Sequence, residues 1–503
     1  MNDGVRPQLM HLRKLFPYLI GIVAGISLAL SQQPYGLWPL VFVSLICFAS
    51  LLNSFRENRS QHDRLAFCFG WIIYASWMCM WMAYFGTFAL IAFVIFEFIL
   101  LYSFVSYIAG IKSRLSSHLT YAFAWVAFEW LTSHLPILSF SWLSIATTMV
   151  NVSFVRNLAR VGGGALITFL IVLIASWVAS NLRKQTISWK RLLIQGAIAC
   201  LCILLLGGLA NIRLGSRSTS VSVAIVQGND KNRYLTEDEI DDHYLNQSHL
   251  SLAESIQQSK DIIVFPESAF DTNPENDSQL HKKLAAIAKN TSRVMILNTI
   301  AQDGAQEVNR NFFYSPTMKL LGTYDKRRLV PFGEYVPLEQ LIGSWSVFDP
   351  IRKGFTPGRT DTTIRNVTTL ICYESTFTDD VRRALGRDSM LLVVTTNNRS
   401  YRRSGNSQQH LAQSQLRASE YGISVIHASV SGISAFIERD GSLTKQTKLF
   451  ERTVLSGSIS FGEPDSLYSK TGDWLSLLAL FVVGYLSLIQ LRKFRWKNQT
   501  STD

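Results

Sequence analysis

Outside its long apolar runs the sequence has a single cysteine, Cys372, so no disulfide framework can form there. The other cysteines, Cys47, Cys68, Cys79, Cys200 and Cys202, lie within the runs, where a thiol is a small hydrophobe. Histidines spaced for metal are also lacking. His243, His249, His281, His410 and His427 form no HExxH or other compact ligand pattern, so no metal and no cofactor are expected and these side chains read as core or surface. Zinc-finger spacing and an aromatic–basic RNA signature are absent, so the net charge of +12 does not point to nucleic acid. No small-residue cleavage site follows the first apolar run. Gln32-Gln33-Pro34-Tyr35 leads directly into the next run, and a retained anchor is expected instead of a cleaved signal.

What the sequence does have is apolar length. Of 503 residues, 48% are hydrophobic and the mean hydropathy is +0.17, unevenly distributed. A membrane-crossing helix needs about 20 apolar residues. Eight stretches approach that length: 15–31, 37–54, 66–84, 87–110, 118–134, 162–182, 192–210 and 473–491. Basic residues alternate between their ends. Arg6, Arg13 and Lys14 precede the first run, and Arg56, Arg59 and Arg64 lie between the second and third. Lys112 and Arg114 follow the fourth, Arg183, Lys184, Lys190 and Arg191 separate the sixth and seventh, and Arg492, Lys493, Arg495 and Lys497 follow the last. The positive-inside rule then places both termini in the cytoplasm and residues 211–472 outside it. Much of the positive charge is therefore topological. Glu97 and Glu129 are the main acids within the runs; Glu129 either lines a lipid-entry cleft or pairs with His134.

Residues from about Ser218 to Asp465 have ordinary soluble composition, and 221–460 alternate strand-like with helix-like stretches. Strands are expected at 221–227, 261–265, 293–297, 368–372, 390–395 and 423–428. Helices are expected at 236–258 and near 277–289, 376–386 and 407–421, which makes an α/β domain. Three reactive residues stand at strand ends. Glu267 follows Ile262-Ile-Val-Phe-Pro266, Lys326 precedes Arg327 and Arg328, and Cys372 ends Thr368-Thr-Leu-Ile371. Taken singly, each has a plain alternative: a solvated turn glutamate, a surface lysine, a core cysteine. A helix beginning after Cys372 is expected to favour its thiolate and lower its pKa.

Larger motifs surround each of them. Phe-Pro-Glu-Ser at 265–268, Lys326, and Ile-Cys-Tyr-Glu at 371–374 resemble the Glu–Lys–Cys triad of the nitrilase, or carbon–nitrogen hydrolase, superfamily. Val226-Gln-Gly-Asn229 is similar to that superfamily's first strand. K-R-R-L-V-P-F-G-E-Y-V-P at 326–337 and Phe355-Thr-Pro-Gly358 resemble signatures of the apolipoprotein N-acyltransferase family, and Pro34-Tyr-Gly-Leu-Trp-Pro39 and Glu129-Trp130 its membrane motifs. The resemblance covers nearly the whole chain. It departs at Asn397-Asn-Arg-Ser-Tyr401, where many members carry Asn-Asp-Ala-Trp-Phe-Gly, and Tyr234 fills the place of an aromatic residue that follows Gln-Gly-Asn.

The resemblance implies a polytopic α-helical membrane bundle carrying an extracytoplasmic α/β nitrilase-like domain, an αββα sandwich. Its parts would be a bundle over 1–214, a catalytic domain over 215–466, and a final span with a basic cytoplasmic tail over 467–503. It implies Cys372 as nucleophile, Glu267 as general base and Lys326 as oxyanion stabiliser, with Glu334, Tyr373 and Glu374 supporting. The reaction would move an acyl chain from a phospholipid, through a Cys372 thioester, to the N-terminal amine of a diacylglyceryl-cysteine apolipoprotein. The setting would be a bacterial cytoplasmic membrane and the protein a monomer in contact with membrane lipid. Residues 331–360, with Phe332, Tyr335, Trp345, Phe348 and Phe355, read either as an apolar lid or as a packed aromatic loop. Two other classes fit parts of the pattern: a membrane-tethered amidase or nitrilase acting on a small amide, and a non-catalytic scaffold or transporter.

Overall fold

Each of the eight apolar runs folds as helix. The computed structural model describes residues 5–84, 86–111, 116–136, 138–183, 189–212, 214, 218–229, 243–337, 339–342, 354–361 and 363–499. Two units partition the chain: Met1–Leu209 with Asp473–Asp503, and Ala210–Gly472.

The first unit contains α1 (Val5–Ser31), α2 (Leu40–Asn58), α3 (Gln61–Met78), α4 (Thr87–Gly110), α5 (Ser117–Ser133), α6 (Ala159–Leu182), α7 (Trp189–Ala210) and the last helix, Trp474–Gln499. Windows in α1, α2, α4, α6 and the last helix, five in number, are long and apolar enough to cross a membrane. Among the described residues, α3 carries Asp63 and Arg64 near its start and α5 has only 17 residues, so both fall short of that measure. Hydrocarbon offers no hydrophobic force between helices, and close packing replaces it. On α1 and α3 small residues allow that packing: a Cβ added at Gly25 would stand 2.1 Å from the carbonyl oxygen of Gly70. Glu97 and Glu129 both have hydrogen-bond partners. Trp71 donates to Glu97 at 3.0 Å. Glu129 accepts from the Ile145 amide at 2.9 Å and the Thr168 hydroxyl at 3.0 Å. His134 is not its partner; the ring stacks on Trp130 and hydrogen-bonds that residue's carbonyl.

The second unit is an αββα sandwich, as the motifs imply. One six-stranded sheet has the order β12-β1-β2-β3-β4-β5 and the other β11-β10-β9-β8-β7-β6. The strands of the first are β1 (Thr219–Gln227), β2 (Lys260–Val264), β3 (Thr291–Asp303), β4 (Gln306–Tyr314), β5 (Leu320–Asp325) and β12 (Thr453–Phe461). Those of the second are β6 (Thr363–Ile364), β7 (Val367–Ile371), β8 (Leu391–Thr396), β9 (Val425–Ser429), β10 (Ala435–Ile437) and β11 (Leu443–Gln446). Period-two alternation sorts the apolar residues by face. Val223, Ile225, Ile262, Val264, Val294 and Ile296 join a core with Leu370, Leu392, Val394 and Ile426 of the other sheet. Ala224, Val226, Ile263, Phe265, Met295 and Leu297 point the opposite way, onto α8 (Tyr244–Ala253) and α9 (Ser278–Ala288). The second sheet is covered by α10 (Thr378–Ala384) and α11 (Asn406–Tyr421), which add Val381, Leu411, Ala418 and Tyr421.

The six expected strands correspond to β1, β2, β3, β7, β8 and β9. The β3–β4 hairpin went unread because Gln-Glu-Val-Asn-Arg-Asn is polar. Its signal was the turn at Asp303-Gly304, where Gly304 has φ +65°. The helix expected at 236–258 is formed over Tyr244–Ala253; residues 236–242 and Tyr234 lie outside the described residues.

Candidate active site

The β7 strand is buried throughout and delivers Cys372 at its end. There the backbone turns sharply: Cys372 has φ +53° and opens a short 3-10 turn over Cys372–Thr376. Positive φ is unfavourable for a residue with a side chain and concentrates where surroundings over-determine the conformation. No long helix begins at this point. The expected thiolate-favouring effect is accordingly overturned. Burial pushes the Cys372 pKa up to about 12, Glu267 and Glu334 push the same way, and Lys326 and the Thr396 hydroxyl oppose them.

Glu267 stands just beyond β2, followed by Ser268 at φ +54°. Its Oε1 accepts from Asn309 Nδ2 at 2.7 Å and from Lys326 Nζ at 3.3 Å, and its Oε2 accepts from the backbone amide of Asn397 at 2.7 Å. Asn397 follows Thr396, whose Oγ1 lies 3.3 Å from Cys372 Sγ. Glu267 and Cys372 thus flank the same two residues at the end of β8.

Lys326 follows β5 and is 1% exposed. Its Nζ also donates to Glu334 Oε1 at 2.7 Å. Burial opposes its charge, but Glu267, Glu334 and Cys372 outweigh burial and hold its pKa well above the ordinary lysine value. One ammonium therefore sits between two carboxylates, in a site from which water is nearly excluded. The Phe355-Thr-Pro-Gly358 motif closes over this loop. The Gly358 amide donates to the Lys326 carbonyl at 2.8 Å and the Phe355 amide to the Glu334 carbonyl at 2.9 Å. A Cβ at Gly358 would lie 2.2 Å from the Asp325 carbonyl oxygen, so only glycine permits this approach.

Glu374 joins the cysteine turn to the lysine loop. Its carboxylate accepts from the amides of Ile371 (2.8 Å), Arg327 (2.7 Å) and Arg328 (3.1 Å) and from the Tyr324 hydroxyl (2.9 Å). Burial raises its pKa to about 7 against the pull of those amides. Arg327 pairs with Asp361 and Arg328 with Asp380, which anchors the loop further. Tyr373 packs edge-on against Phe377 at 4.9 Å. Removing the carboxylate in Glu374→Ala leaves four donors without an acceptor, at about 1–3 kcal/mol for each that water cannot reach. A loss of about 3 kcal/mol or more in domain stability is expected, read by denaturant unfolding in detergent. A variant as stable as the parent would remove Glu374 from this role.

Several contributors were not read from the sequence. Asn298, Asn309 and Asn311 on the paired β3 and β4 form a buried amide chain: Asn298 Nδ2 donates to Asn309 Oδ1 (2.8 Å) and Asn311 Oδ1 (2.9 Å), and Asn309 then holds Glu267. Asn311 reaches the second sheet, donating to Thr369 at 2.6 Å. Their signal is three asparagines on strand positions that prove to be buried, visible only once the hairpin is paired. The departure at Asn397-Asn398 leaves the triad contacts in place, because Asn397 contributes its backbone and Asn398 bonds to Thr396 and Asn406. Tyr401, in the same segment, lies in the electrostatic field of Cys372, Lys326 and Glu267. Gln227 ties the two sheets together, donating to the carbonyls of Gly432 and Glu451 and accepting from Ser434. Phe332, Tyr335 and Phe355 are half-buried, while Trp345 and Phe348 lie outside the described residues.

Residues 24–177 match the family described as the apolipoprotein N-acyltransferase N-terminal domain, and residues 222–467 match the carbon–nitrogen hydrolase family. The apolipoprotein N-acyltransferase of Haemophilus influenzae is 26% identical over 96% of this chain and 97% of that protein. That of Geobacter metallireducens is 26% identical over 93% and 95%, respectively. Among solved structures, a Saccharomyces cerevisiae protein from branch 10 of the nitrilase superfamily aligns with 50% of this chain and 92% of its own, at 14% identity and a TM-score of 0.37. With an N-terminal membrane domain and a carbon–nitrogen hydrolase domain matched in succession along one chain, the protein belongs to the apolipoprotein N-acyltransferase family.

Proposed function

We propose that the chain transfers an acyl group from a phospholipid to the N-terminal amine of a diacylglyceryl-cysteine apolipoprotein, with Cys372 carrying the acyl group as a thioester. The observation that carries this reading is the buried cluster in which Lys326 bonds to both Glu267 and Glu334 while Cys372 feels the charge of all three. In the first half-reaction Glu267 accepts the thiol proton as Sγ attacks the ester carbonyl of the lipid. Lys326 stabilises the oxyanion of the tetrahedral intermediate, a contribution typically worth about 3–4 kcal/mol. The ester C–O bond then breaks, the proton on Glu267 goes to the departing oxygen, and lysophospholipid leaves. In the second half-reaction the acceptor amine attacks the thioester, Glu267 takes a proton from it, and the C–S bond breaks. The returning proton restores the thiol.

Both substrates carry chains that cost about 0.8 kcal/mol per CH₂ to bring into water, which gives a physical reason for attaching this chemistry to membrane helices. The alternation of basic residues supports cytoplasmic termini and a catalytic domain over 215–466 on the opposite face. Glu334, Glu374 and Tyr373 act as supports of the lysine loop and the cysteine turn.

Intact-protein mass spectrometry after incubation with phospholipid tests the reading. An acyl adduct confined to Cys372 is expected, disappearing when a diacylated lipopeptide is added and reappearing as added mass on its amine. Folded protein that gains no adduct and transfers nothing would overturn it. Release of free fatty acid with no gain on the lipopeptide would move the chain to the hydrolase class.

A further inference from the structure

Behind the cysteine turn lies a buried polar group that the chemistry above does not use. His410, on α11, is 1% exposed, and both of its ring nitrogens are engaged. Nε2 is 3.1 Å from the Cys372 carbonyl oxygen and 3.0 Å from the Ser375 hydroxyl. Nδ1 is 3.3 Å from Oγ1 of Thr396. A carbonyl can only accept, so Nε2 bears the ring proton and Nδ1 the lone pair. Burial lowers the His410 pKa to about 4, with the Cys372 carbonyl opposing and Lys326 assisting, so the ring is neutral and this tautomer is fixed. His427 stands edge-on at 4.9 Å, its own Nδ1 within 2.9 Å of the Ser414 hydroxyl, and fills the far side of the ring.

Two consequences follow for the nucleophile. The Cys372 carbonyl receives hydrogen bonds from His410 and from Ser375 Oγ (2.9 Å), and the peptide group it belongs to is planar. Pinning that oxygen fixes the orientation of the whole Cys372–Tyr373 peptide and holds Cys372 in its left-handed conformation. The Thr396 hydroxyl, meanwhile, has one proton and three neighbours able to take it: Asn398 Oδ1 at 2.6 Å, Cys372 Sγ at 3.3 Å and His410 Nδ1 at 3.3 Å. Beside a neutral thiol the short bond to Asn398 holds the proton. A thiolate is the stronger acceptor, and rotation of the hydroxyl turns its O–H bond from Asn398 toward sulfur with no heavy atom moving.

We propose that His410 is a positioning residue for Cys372: its Nε2–H holds the carbonyl of the turn and with it the orientation of the nucleophile's peptide. The ring exchanges no proton with the thiol. This inference rests on Cys372 as the nucleophile.

The test compares His410→Ala and His410→Gln in the full-length protein in detergent. Iodoacetamide alkylates the thiol, forming an S–C bond as iodide leaves and the proton passes to buffer; the rate is read on the Cys372 peptide, beside acyl-adduct formation from phospholipid and the melting temperature. Alanine is expected to slow both reactions about tenfold or more, the effect of one well-made hydrogen bond on a barrier. Glutamine, whose amide can still donate to the Cys372 carbonyl, is expected to recover most of that loss. Alanine reacting within about threefold of the parent, or glutamine as slow as alanine at equal folded fraction, overturns the proposal. Should alanine prevent folding, His410→Leu, which fills the space without a donor, is compared with His410→Gln. Slower alkylation in the leucine variant at equal folded fraction supports the proposal, and equal rates in the two overturn it. A parent that alkylates yet takes no acyl chain would sink the functional reading while the ratio between variants still judged His410.

Discussion

Cys372→Ala is expected to fold and to lose acyl transfer by about 10⁴-fold or more, as removal of a covalent nucleophile does in enzymes that cannot bypass it. Folding should survive because little of the structure depends on the sulfur. Among the described residues its one hydrogen bond is with the Thr396 hydroxyl, which keeps a better partner in Asn398 at 2.6 Å. The left-handed backbone at φ +53° is no worse for alanine than for cysteine, since both carry a Cβ. The cavity left by one sulfur atom costs about 1–2 kcal/mol, so the melting temperature should move by only a few degrees, about what that loss produces in a domain of this size. Cys372→Ser is the sharper variant. It preserves shape and polarity, but the alkoxide is a far poorer leaving group than the thiolate, so an acyl group that reaches it should remain as a stable ester. Acyl transfer and lipopeptide modification are measured with the same phospholipid. Parental transfer in either variant would remove Cys372 from the chemistry and return it to the core, where its 6% exposure would also fit.

That ambiguity marks how far the sequence could be read. Apolar length marked the eight long helices described in the first unit, and β-branched runs such as Asp261-Ile-Ile-Val-Phe265 marked the parallel strands, since both depend on local composition. Strands such as β4, β5 and β10 escaped because their pairing is set by neighbours, and polar residues on them are satisfied by the partner strand or the facing sheet. The hardest segment to read is α11. Asn-Ser-Gln-Gln-His-Leu-Ala-Gln-Ser-Gln-Leu-Arg-Ala-Ser-Glu-Tyr is mostly polar, yet nearly every residue in it is buried. Several of its polar side chains find partners: His410 at the cysteine turn, Ser414 at His427, Gln415 at the Gly441 carbonyl and Arg417 at Glu420. Apart from the local Arg417–Glu420 pair, periodicity cannot find such partners, because they come from other elements of the fold. The grouping of Glu267, Lys326 and Cys372, with Glu334 and Glu374 beside it, was legible through its motifs. The asparagine chain behind Glu267 and the histidine behind Cys372 were not, because they belong to no short pattern.

Glu267→Gln and Lys326→Met are expected to abolish transfer alike while moving the thiol in opposite directions. With the thiol neutral, the formal charges of Glu267, Lys326 and Glu334 leave the cluster with one net negative charge. Ionising Cys372 by loss of its proton to solvent adds a second; burial above all, and then the charge of Glu267, push its pKa up to about 12. Passing the proton to Glu267 leaves the net charge unchanged. Glutamine at 267 removes an anion that raises the thiol pKa, so alkylation of Cys372 should begin at lower pH than in the parent. Methionine at 326 removes the cation that lowers it, so alkylation should begin at higher pH. It also strands Glu267 and Glu334 without their shared partner, a change that destabilises buried pairs by about 3–5 kcal/mol, and folded fraction must be matched before rates are compared. Transfer should fall about 10²–10⁴-fold in the glutamine variant through loss of the base, and about 10²–10³-fold in the methionine variant through loss of the oxyanion donor. The glutamine variant separates two mechanisms. If the site worked by stabilising a free thiolate electrostatically, removing Glu267 would ease ionisation and speed acylation. If Glu267 carries the proton, the same change makes the thiol easier to ionise and still stops the reaction. Easier alkylation together with lost transfer is the signature expected here, and faster acylation in Glu267→Gln would rule out Glu267 as the base.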